Sequence, residues 1–163
     1  MVTNQRSRTA ILSGAKKVIA QVGSYESNML DIAEQAQVSR ATVYNHFSDK
    51  EEMLMTLVES EILRLSALAK KSENPAEALY LLSREISIDP ALRRMVETDP
   101  LDIAKFVTIS DHPLWQLAIE KTKEFFTTEN YSLVIHWLIG QIASPLTEAQ
   151  SLRQSHQLSR ALI

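Results

Sequence analysis

Residues 28–52 read NMLDIAEQAQVSRATVYNHFSDKEE, and this stretch decides the fold because it predicts two short helices joined by a tight turn. Between Met29 and Ala36, apolar residues recur at a spacing of three and four, which is typical of one face of a helix. Ser39 then places a hydroxyl where it can accept from the free amides of a second helix. The stretch therefore predicts a recognition helix over about residues 39–46.

The second helix has a narrow apolar side, formed by Val43 and Phe47, which are four residues apart and can pin it to a core. A helix with so little apolar surface needs a partner to fold against, and its many hydrogen-bond donors suit the major groove of DNA. Its remaining side chains are mostly polar: Arg40, Ala41, Thr42, Tyr44, Asn45 and His46.

The composition favours helices throughout the chain. The 163 residues are 45% hydrophobic and include only 3 glycines and 5 prolines, so a substantial core is available and strand-and-turn architectures are disfavoured. We expect an all-α fold in which an N-terminal three-helix DNA-binding domain is joined by a long fourth helix to a C-terminal helical domain.

Charge and residue usage exclude several classes of protein. The chain has no cysteine, which excludes disulfides and thiolate metal sites. No apolar run approaches the roughly 20 residues of a membrane span, and the polar start at Met1–Arg8 is unlike a secretory signal, so we expect a cytoplasmic protein with no membrane contact. Residues 1–50 carry a net charge of +2 and residues 51–163 a net charge of −5. This asymmetry is modest and only weakly favours binding to nucleic acid.

Helices are also predicted on both sides of the opening stretch. An apolar stripe from Ile11 to Val22 indicates a first helix that Gly23 ends. Ser48 and Glu51 form a predicted capping box for a fourth helix that runs to about Lys71.

Prolines divide the C-terminal part into further helices. Pro75, Pro90 and Pro100 each suit the first turn of a helix. A longer helix over about residues 113–127 carries two apolar stripes and is predicted to be buried on both sides. After the apolar segment 131–144, the last helix is predicted to begin with a capping box, formed by Thr147 and Gln150.

Residues 10–54, and above all the run VSRATVYNHFSDKEEML, resemble the N-terminal domain of TetR/AcrR-type transcriptional regulators. The resemblance implies a helix-turn-helix DNA-binding domain over residues 1–50 and a regulatory and dimerisation domain over residues 51–163. Two residues depart from the family pattern, because Gln37 and Ala41 stand where glycine is frequent. The residues that the resemblance places against DNA are Ser27, Asn28, Ser39, Arg40, Ala41, Thr42, Tyr44, Asn45, His46 and Lys50.

The resemblance also implies partners and a mode of control. We expect a repressor that binds double-stranded DNA at a palindromic operator as a homodimer, paired through residues 131–162, and that a small-molecule effector releases. Aromatic and apolar side chains of the C-terminal part either form core or line an effector pocket: Tyr80, Met95, Phe106, Trp115, Phe125 and Trp137.

Two other classes of function stay open at this point. One is a helical ligand-binding or protein-binding module that has lost DNA binding. The other is an enzyme, but the sequence contains no recognisable catalytic motif, phosphate loop or metal-ligand spacing, so we predict no catalytic residues, no metal and no cofactor.

Overall fold

The computed structural model describes residues 2–108, 111–126 and 130–162, which form ten helices and no strand. The predicted all-α fold is confirmed. The helices, in chain order, are α1 (Val2–Val22), α2 (Met29–Gln35), α3 (Arg40–His46), α4 (Lys50–Ala69), α5 (Pro75–Ile88), α6 (Pro90–Thr98), α7 (Pro100–Val107), α8 (Pro113–Lys123), α9 (Tyr131–Ala143) and α10 (Glu148–Ala161).

Two compact units divide the chain, and each is built from two separate segments. The first unit contains Met1–Glu59 and Pro90–Lys105, and the second contains Ser60–Asp89 and Phe106–Ile163. The first unit includes residues distant in sequence because α6 returns to pack on α1. The sequence predicts a DNA-binding domain over residues 1–50 and a regulatory and dimerisation domain over residues 51–163. This functional division stays a prediction.

The core of the first unit is formed by the apolar stripe of α1. Ile11, Ala15 and Ile19 are at most 2% exposed and pack with the apolar faces of α2 and α3. Gly14 allows the close approach of α2, since a Cβ at this position would lie 3.0 Å from the backbone nitrogen of Ala36. The same stripe that the sequence shows thus holds the short helices in place.

The starts of α3 and α10 follow the predicted caps, but the start of α4 does not. The capping box of α4 was predicted at Ser48 and Glu51, and this is wrong by one residue. Asp49 Oδ1 accepts from the Glu52 amide at 2.8 Å, and Glu52 Oε2 accepts from the Ser48 amide at 2.7 Å. An aspartate caps as well as a serine, so local preference could not choose between the two registers.

The second unit is a bundle in which α5 packs against α9 and α10. Leu79 and Val134 are fully buried and lie at the centre of its apolar core. Beside that core is a buried polar contact, because the Ser83 hydroxyl lies 2.6 Å from Gln141 Oε1 and 2.8 Å from Ser151 Oγ. These buried polar groups therefore have partners, as stable burial requires.

Helix α8 differs from its prediction. The two apolar stripes predicted burial on both sides, but every apolar side chain of α8 is only half-buried within this chain. The helix ends at Lys123, so the predicted continuation is wrong for residues 124–126, which are not helical, and Thr127 lies outside the described residues. A half-buried helix with two apolar faces leaves apolar surface available.

Candidate nucleic-acid interface

Helix α3 is anchored by its two apolar residues, as its sequence predicts. Val43 is fully buried and Phe47 is 1% exposed, and both belong to the core of the first unit. Ser39 caps the helix, because its hydroxyl accepts from the Thr42 amide at 3.0 Å. The buried side fixes which side chains of α3 face outward.

The outward side of α3 carries polar and aromatic groups. Arg40, Ala41 and Asn45 are exposed, and Tyr44 is 44% exposed. The guanidinium carbon of Arg40 lies 5.4 Å from the centre of the Tyr44 ring, a cation–π distance. Stacking of this kind keeps an arginine extended and its donors presented together, which suits contact with base edges or phosphates.

The turn between α2 and α3 requires a backbone conformation that glycine adopts more readily. Gln37 has φ +56° and is the non-glycine residue with positive φ among the described residues. Its amide donates to Glu34 at 3.0 Å, and the Val38 amide donates to Ala33 at 3.0 Å. The turn is therefore formed as the resemblance implies, at a conformational cost on the order of 1 kcal/mol.

Ser27 and Asn28, two of the predicted DNA contacts, directly precede α2, and only Asn28 is exposed. Its side-chain oxygen accepts from the amides of Leu30 and Asp31, both at 3.0 Å, and its side-chain nitrogen donates to Asp31 Oδ2 at 2.7 Å. Ser27 is 2% exposed, and its hydroxyl donates to the Ser24 carbonyl at 2.7 Å. The hydroxyl of Ser27 is thus engaged inside the protein.

Lys50, in the first turn of α4, points at the loop between α1 and α2. Its ammonium nitrogen donates to the carbonyls of Ser24, Tyr25 and Ser27 at 3.1, 3.0 and 2.9 Å. An ammonium group has three hydrogens, so all of its donors are used within the protein in this arrangement. The resemblance places Lys50 against DNA, and this stays a prediction; within this chain the ammonium group meets the partial negative charges of three carbonyls.

Arg8 is not among the residues predicted to contact DNA, yet the structure places it beside α3. The guanidinium carbon of Arg8 lies 4.8 Å from the centre of the Phe47 ring. Arg8 also lines a surface cleft of about 580 Å³ with Asn4, Gln5, Asn45 and His46. Its position three residues before Ile11 puts it at the edge of the apolar stripe, and that spacing was the available signal.

A carboxylate is fixed at the start of α4, next to this surface. Hydrogen bonds from the Ser48 amide and the Ser48 hydroxyl lower the pKa of Glu52 below its ordinary value. The Ser48 hydroxyl lies 2.8 Å from Glu52 Oε2. The bonds hold Glu52 in its charged form and tie its carboxylate to the turn between α3 and α4.

The six residues predicted to line an effector pocket are divided between the two units. Met95 packs against the core of the first unit, whereas Phe125 and Trp137 pack against the core of the second. Phe106 and Trp115 are half-buried.

Two of these side chains also have polar partners. The indole nitrogen of Trp137 donates to Gln154 at 2.9 Å. The hydroxyl of Tyr80 donates to Glu148 at 2.8 Å, a hydrogen bond that raises the pKa of Tyr80. Both contacts hold the bundle of the second unit together.

Within residues 2–108, 111–126 and 130–162, no group of three or more histidine, aspartate or glutamate side chains is placed to hold a metal ion. None of the helices in that part of the chain is both long and apolar enough to cross a membrane.

Comparison with known proteins gives a family for residues 11–56. Residues 11–56 match the family described as "Bacterial regulatory proteins, tetR family". The HTH-type transcriptional regulator TtgR of Pseudomonas putida is 29% identical over 102 residues, which are 57% of this chain and 49% of that protein. The chain thus spans about half the length of the curated relatives it matches.

Solved structures share the fold over nearly the whole chain. The TetR family repressor AlkX of a Dietzia species has a TM-score of 0.66 at 17% identity, with 95% of this chain and 94% of that chain covered. The dihydroxyacetone kinase operon activator DhaS has a TM-score of 0.65 at 17% identity, with 96% and 93% covered.

The relatives named here are transcriptional regulators rather than enzymes, in agreement with the prediction that this chain is not an enzyme. The resemblance stated from the sequence is confirmed: residues 11–56 carry the DNA-binding pattern of the tetR family of bacterial regulatory proteins, and the chain has the fold of TetR-family regulators.

Proposed function

We propose that this protein is a cytoplasmic transcriptional repressor that binds a palindromic operator as a homodimer and is released by a small-molecule effector. One observation carries the proposal: Val43 of α3 and Phe47, which directly follows the helix, are buried, while Arg40, Tyr44 and Asn45 of α3 are exposed. A short helix held in this way presents donors that an α-helix in the major groove uses to contact base edges.

Two copies are required by the geometry of the proposed contact. One α3 helix reaches only a few base pairs, and two such helices contact successive major grooves when they lie about 34 to 36 Å apart. The family sequence pattern in residues 11–56 supports the DNA-binding part. The dimer and its pairing through residues 131–162 belong to the proposal.

Arg40 and Tyr44 are the residues we expect to determine operator preference. Substituting Arg40→Ala removes the exposed guanidinium and its stacking on Tyr44, so sequence preference is expected to relax. Tyr44→Phe keeps the ring and removes the hydroxyl, which separates a polar contact from stacking. Arg84→Ala, an exposed arginine of α5 in the second unit, is the matched control.

The first experiment selects bound fragments of the source genome and measures affinity for the best fragment at several salt concentrations. Wild type and Arg84→Ala are expected to prefer the same sequence. Arg40→Ala is expected to bind more weakly and less selectively, with a smaller dependence on salt if Arg40 meets a phosphate.

Unchanged binding by both Arg40→Ala and Tyr44→Phe would remove α3 from the proposed interface. Weak binding of wild type to every duplex at low salt would favour the module that has lost DNA binding.

The sign of regulation needs its own measurement, since the fold is shared by AlkX, named a repressor, and DhaS, named an activator. A reporter behind the selected operator is expected to fall in output when the protein is present. A rise in output would overturn repression and leave DNA binding in place.

An effector is proposed to bind the second unit, where five of the six candidate pocket residues lie. The protein has 2 tryptophans, Trp115 and Trp137, and both lie in this unit. Intrinsic fluorescence therefore reports on ligands there. A compound that quenches wild type and also lowers operator affinity is the expected result, and Trp115→Phe or Trp137→Phe identifies the nearer ring. Quenching without any change in operator affinity would count against release by that compound.

A further inference from the structure

The loop between α1 and α2, residues 23–27, is held on one side by a single buried carboxylate. The Ser24 amide donates to Asp99 Oδ2 at 2.8 Å, and the Tyr25 amide donates to Asp99 Oδ1 at 3.1 Å. The Thr98 hydroxyl lies 2.7 Å from the same Oδ2. Asp99 is 7% exposed and lies between α6 and α7, so a residue distant in sequence accepts from two amides of this loop.

The carbonyls of the same loop are held on the other side by Lys50. Its three bonds go to the Ser24, Tyr25 and Ser27 carbonyls. The peptide groups of the loop therefore lie between a carboxylate, which accepts from their amides, and an ammonium, which donates to their carbonyls. Hydrogen bonds to ionised groups are stronger than those between neutral groups, so this arrangement fixes the loop firmly.

Gly23 makes the close contact with Asp99 possible. Its φ is +89°, which glycine adopts without strain, and a Cβ at this position would overlap Thr98 Oγ1 and lie 2.6 Å from Asp99 Oδ2. The chain leaves α1 at this residue and reaches the Asn28 cap of α2 five residues later. The position of the loop thus sets where α2 begins.

We propose that Asp99 is a positioning residue for DNA recognition, acting through the α1–α2 loop on the start of α2 and on the orientation of Lys50. The inference rests on the proposed function. It extends the DNA-recognising part of the molecule beyond residues 1–50 to the joint between α6 and α7. Asp99 touches no DNA in this scheme, and its effect is exerted through the loop that it holds.

The test compares Asp99→Asn with wild type in the full chain. Asparagine has nearly the same shape but one acceptor oxygen in place of two, so one loop amide loses its partner and the charge is lost. Affinity for the selected operator is expected to fall about tenfold, the effect of one unpaired buried donor, with the salt dependence unchanged because no phosphate contact is removed. Amide hydrogen exchange at Ser24 and Tyr25, measured in free protein, is expected to accelerate by about the same factor.

Asp102→Asn is the matched control. It makes the same chemical change three residues later, where the carboxylate pairs with Lys105 at 3.0 Å. We expect this variant to keep wild-type exchange at Ser24 and Tyr25 and wild-type operator affinity.

Lys50→Gln is the second variant, and it acts on the same loop from its opposite side. If both residues work through the loop, their effects on operator affinity are expected to be non-additive in the double variant, as for residues that share a partner. Lys50→Gln also keeps the proposal falsifiable if Asp99→Asn does not fold, because Lys50 lies at a partly exposed position. In that case faster loop exchange with weaker operator binding supports the proposal, and either effect without the other overturns it.

Three further outcomes would contradict the proposal or one of its steps. Wild-type operator affinity in a folded Asp99→Asn variant with faster loop exchange would show that the loop is held but does not position DNA contacts, which overturns the proposal. Unchanged loop exchange would show that Asp99 does not hold the loop. Failure of wild type to bind any duplex would overturn the proposed function together with this inference, and the exchange data would then show separately whether Asp99 holds the loop.

Discussion

At Gln37 a single backbone angle governs the turn that joins α2 and α3. A non-glycine residue at φ +56° lies in the left-handed region, which costs about 1 to 2 kcal/mol. Glycine removes that cost and adds an unfolded-state entropy cost of about 0.5 to 1 kcal/mol. We therefore expect Gln37→Gly to raise the free energy of unfolding by up to about 1 kcal/mol, measured by urea denaturation.

The matched control for this change is Gln35→Gly, which places glycine in the right-handed conformation of α2. Glycine has low helix propensity, so the free energy of unfolding is expected to fall by about 0.5 to 1 kcal/mol. If both variants change stability in the same direction, the backbone angle of Gln37 is not what limits this turn.

The start of α4 gives a prediction about pH at the scale of one element. The Ser48 hydrogen bonds lower the pKa of Glu52 in the folded protein below its ordinary value of 4.5. A lowered folded pKa means that the cap stabilises the protein fully above the unfolded pKa and is lost as pH falls through the folded pKa. Stability of wild type is therefore expected to decrease on acidification below about pH 4.5, in part through this cap.

Glu52→Gln tests the assignment, because glutamine can occupy the cap without titrating in this range. Urea denaturation of the variant at a series of pH values is expected to show a smaller acid-induced loss of stability than wild type. Glu51→Gln removes the neighbouring carboxylate and keeps the Ser48–Glu52 bonds, so its acid dependence should stay closer to that of wild type. An acid dependence of Glu52→Gln identical to wild type would contradict the role of this cap.

Two N-caps allow stability to be separated from DNA binding. Asn28 caps α2 in the first unit, and Thr147 caps α10 in the second with Gln150 as its reciprocal partner. Asn28→Ala and Thr147→Ala are each expected to lower stability by about 1 kcal/mol. At a temperature where both variants are folded, only Asn28→Ala is expected to weaken operator binding in a gel-shift titration. Equal effects on binding would place the contribution of Asn28 in overall stability rather than in the interface.

For the whole molecule, Gly140 offers a direct test of the proposed homodimer. A Cβ at Gly140 of α9 would meet none of the described residues within 4 Å, and Leu133 on the same helix is 50% exposed. Gly140 is exposed, so we expect an effect of a larger side chain there on assembly to report on a second copy. We expect Gly140→Leu and Leu133→Glu to shift the sedimentation equilibrium from dimer to monomer at micromolar concentration.

Leu101→Glu is the control for this measurement, since Leu101 is 78% exposed in the first unit. It adds the same charge to the first unit and is expected to leave the dimer intact. A monomeric wild-type protein would overturn the homodimer, and dissociation by Leu101→Glu alone would move the proposed interface to the first unit.

Much of the helical framework could be predicted from the sequence because its causes are local. Ser39 starts α3 through a hydroxyl that accepts from an amide three residues away, and Pro75 starts α5 because its ring suits the first helical turn. Val43 and Phe47 could be assigned to the core from their spacing alone. The exposed side of the recognition helix followed from the same spacing.

The amino-acid sequence by itself determined the helices, most of their caps and the polar face of α3, since each depends on residues within a few positions of one another. Only the tertiary structure decided that Lys50 turns its three donors to the α1–α2 loop and that Asp99 holds the amides of that loop. The partners of Asp99 are 74 and 75 residues away along the chain. The sequence showed Asp99 as the residue before Pro100, and the packing of α6 on α1 brought it to Ser24 and Tyr25.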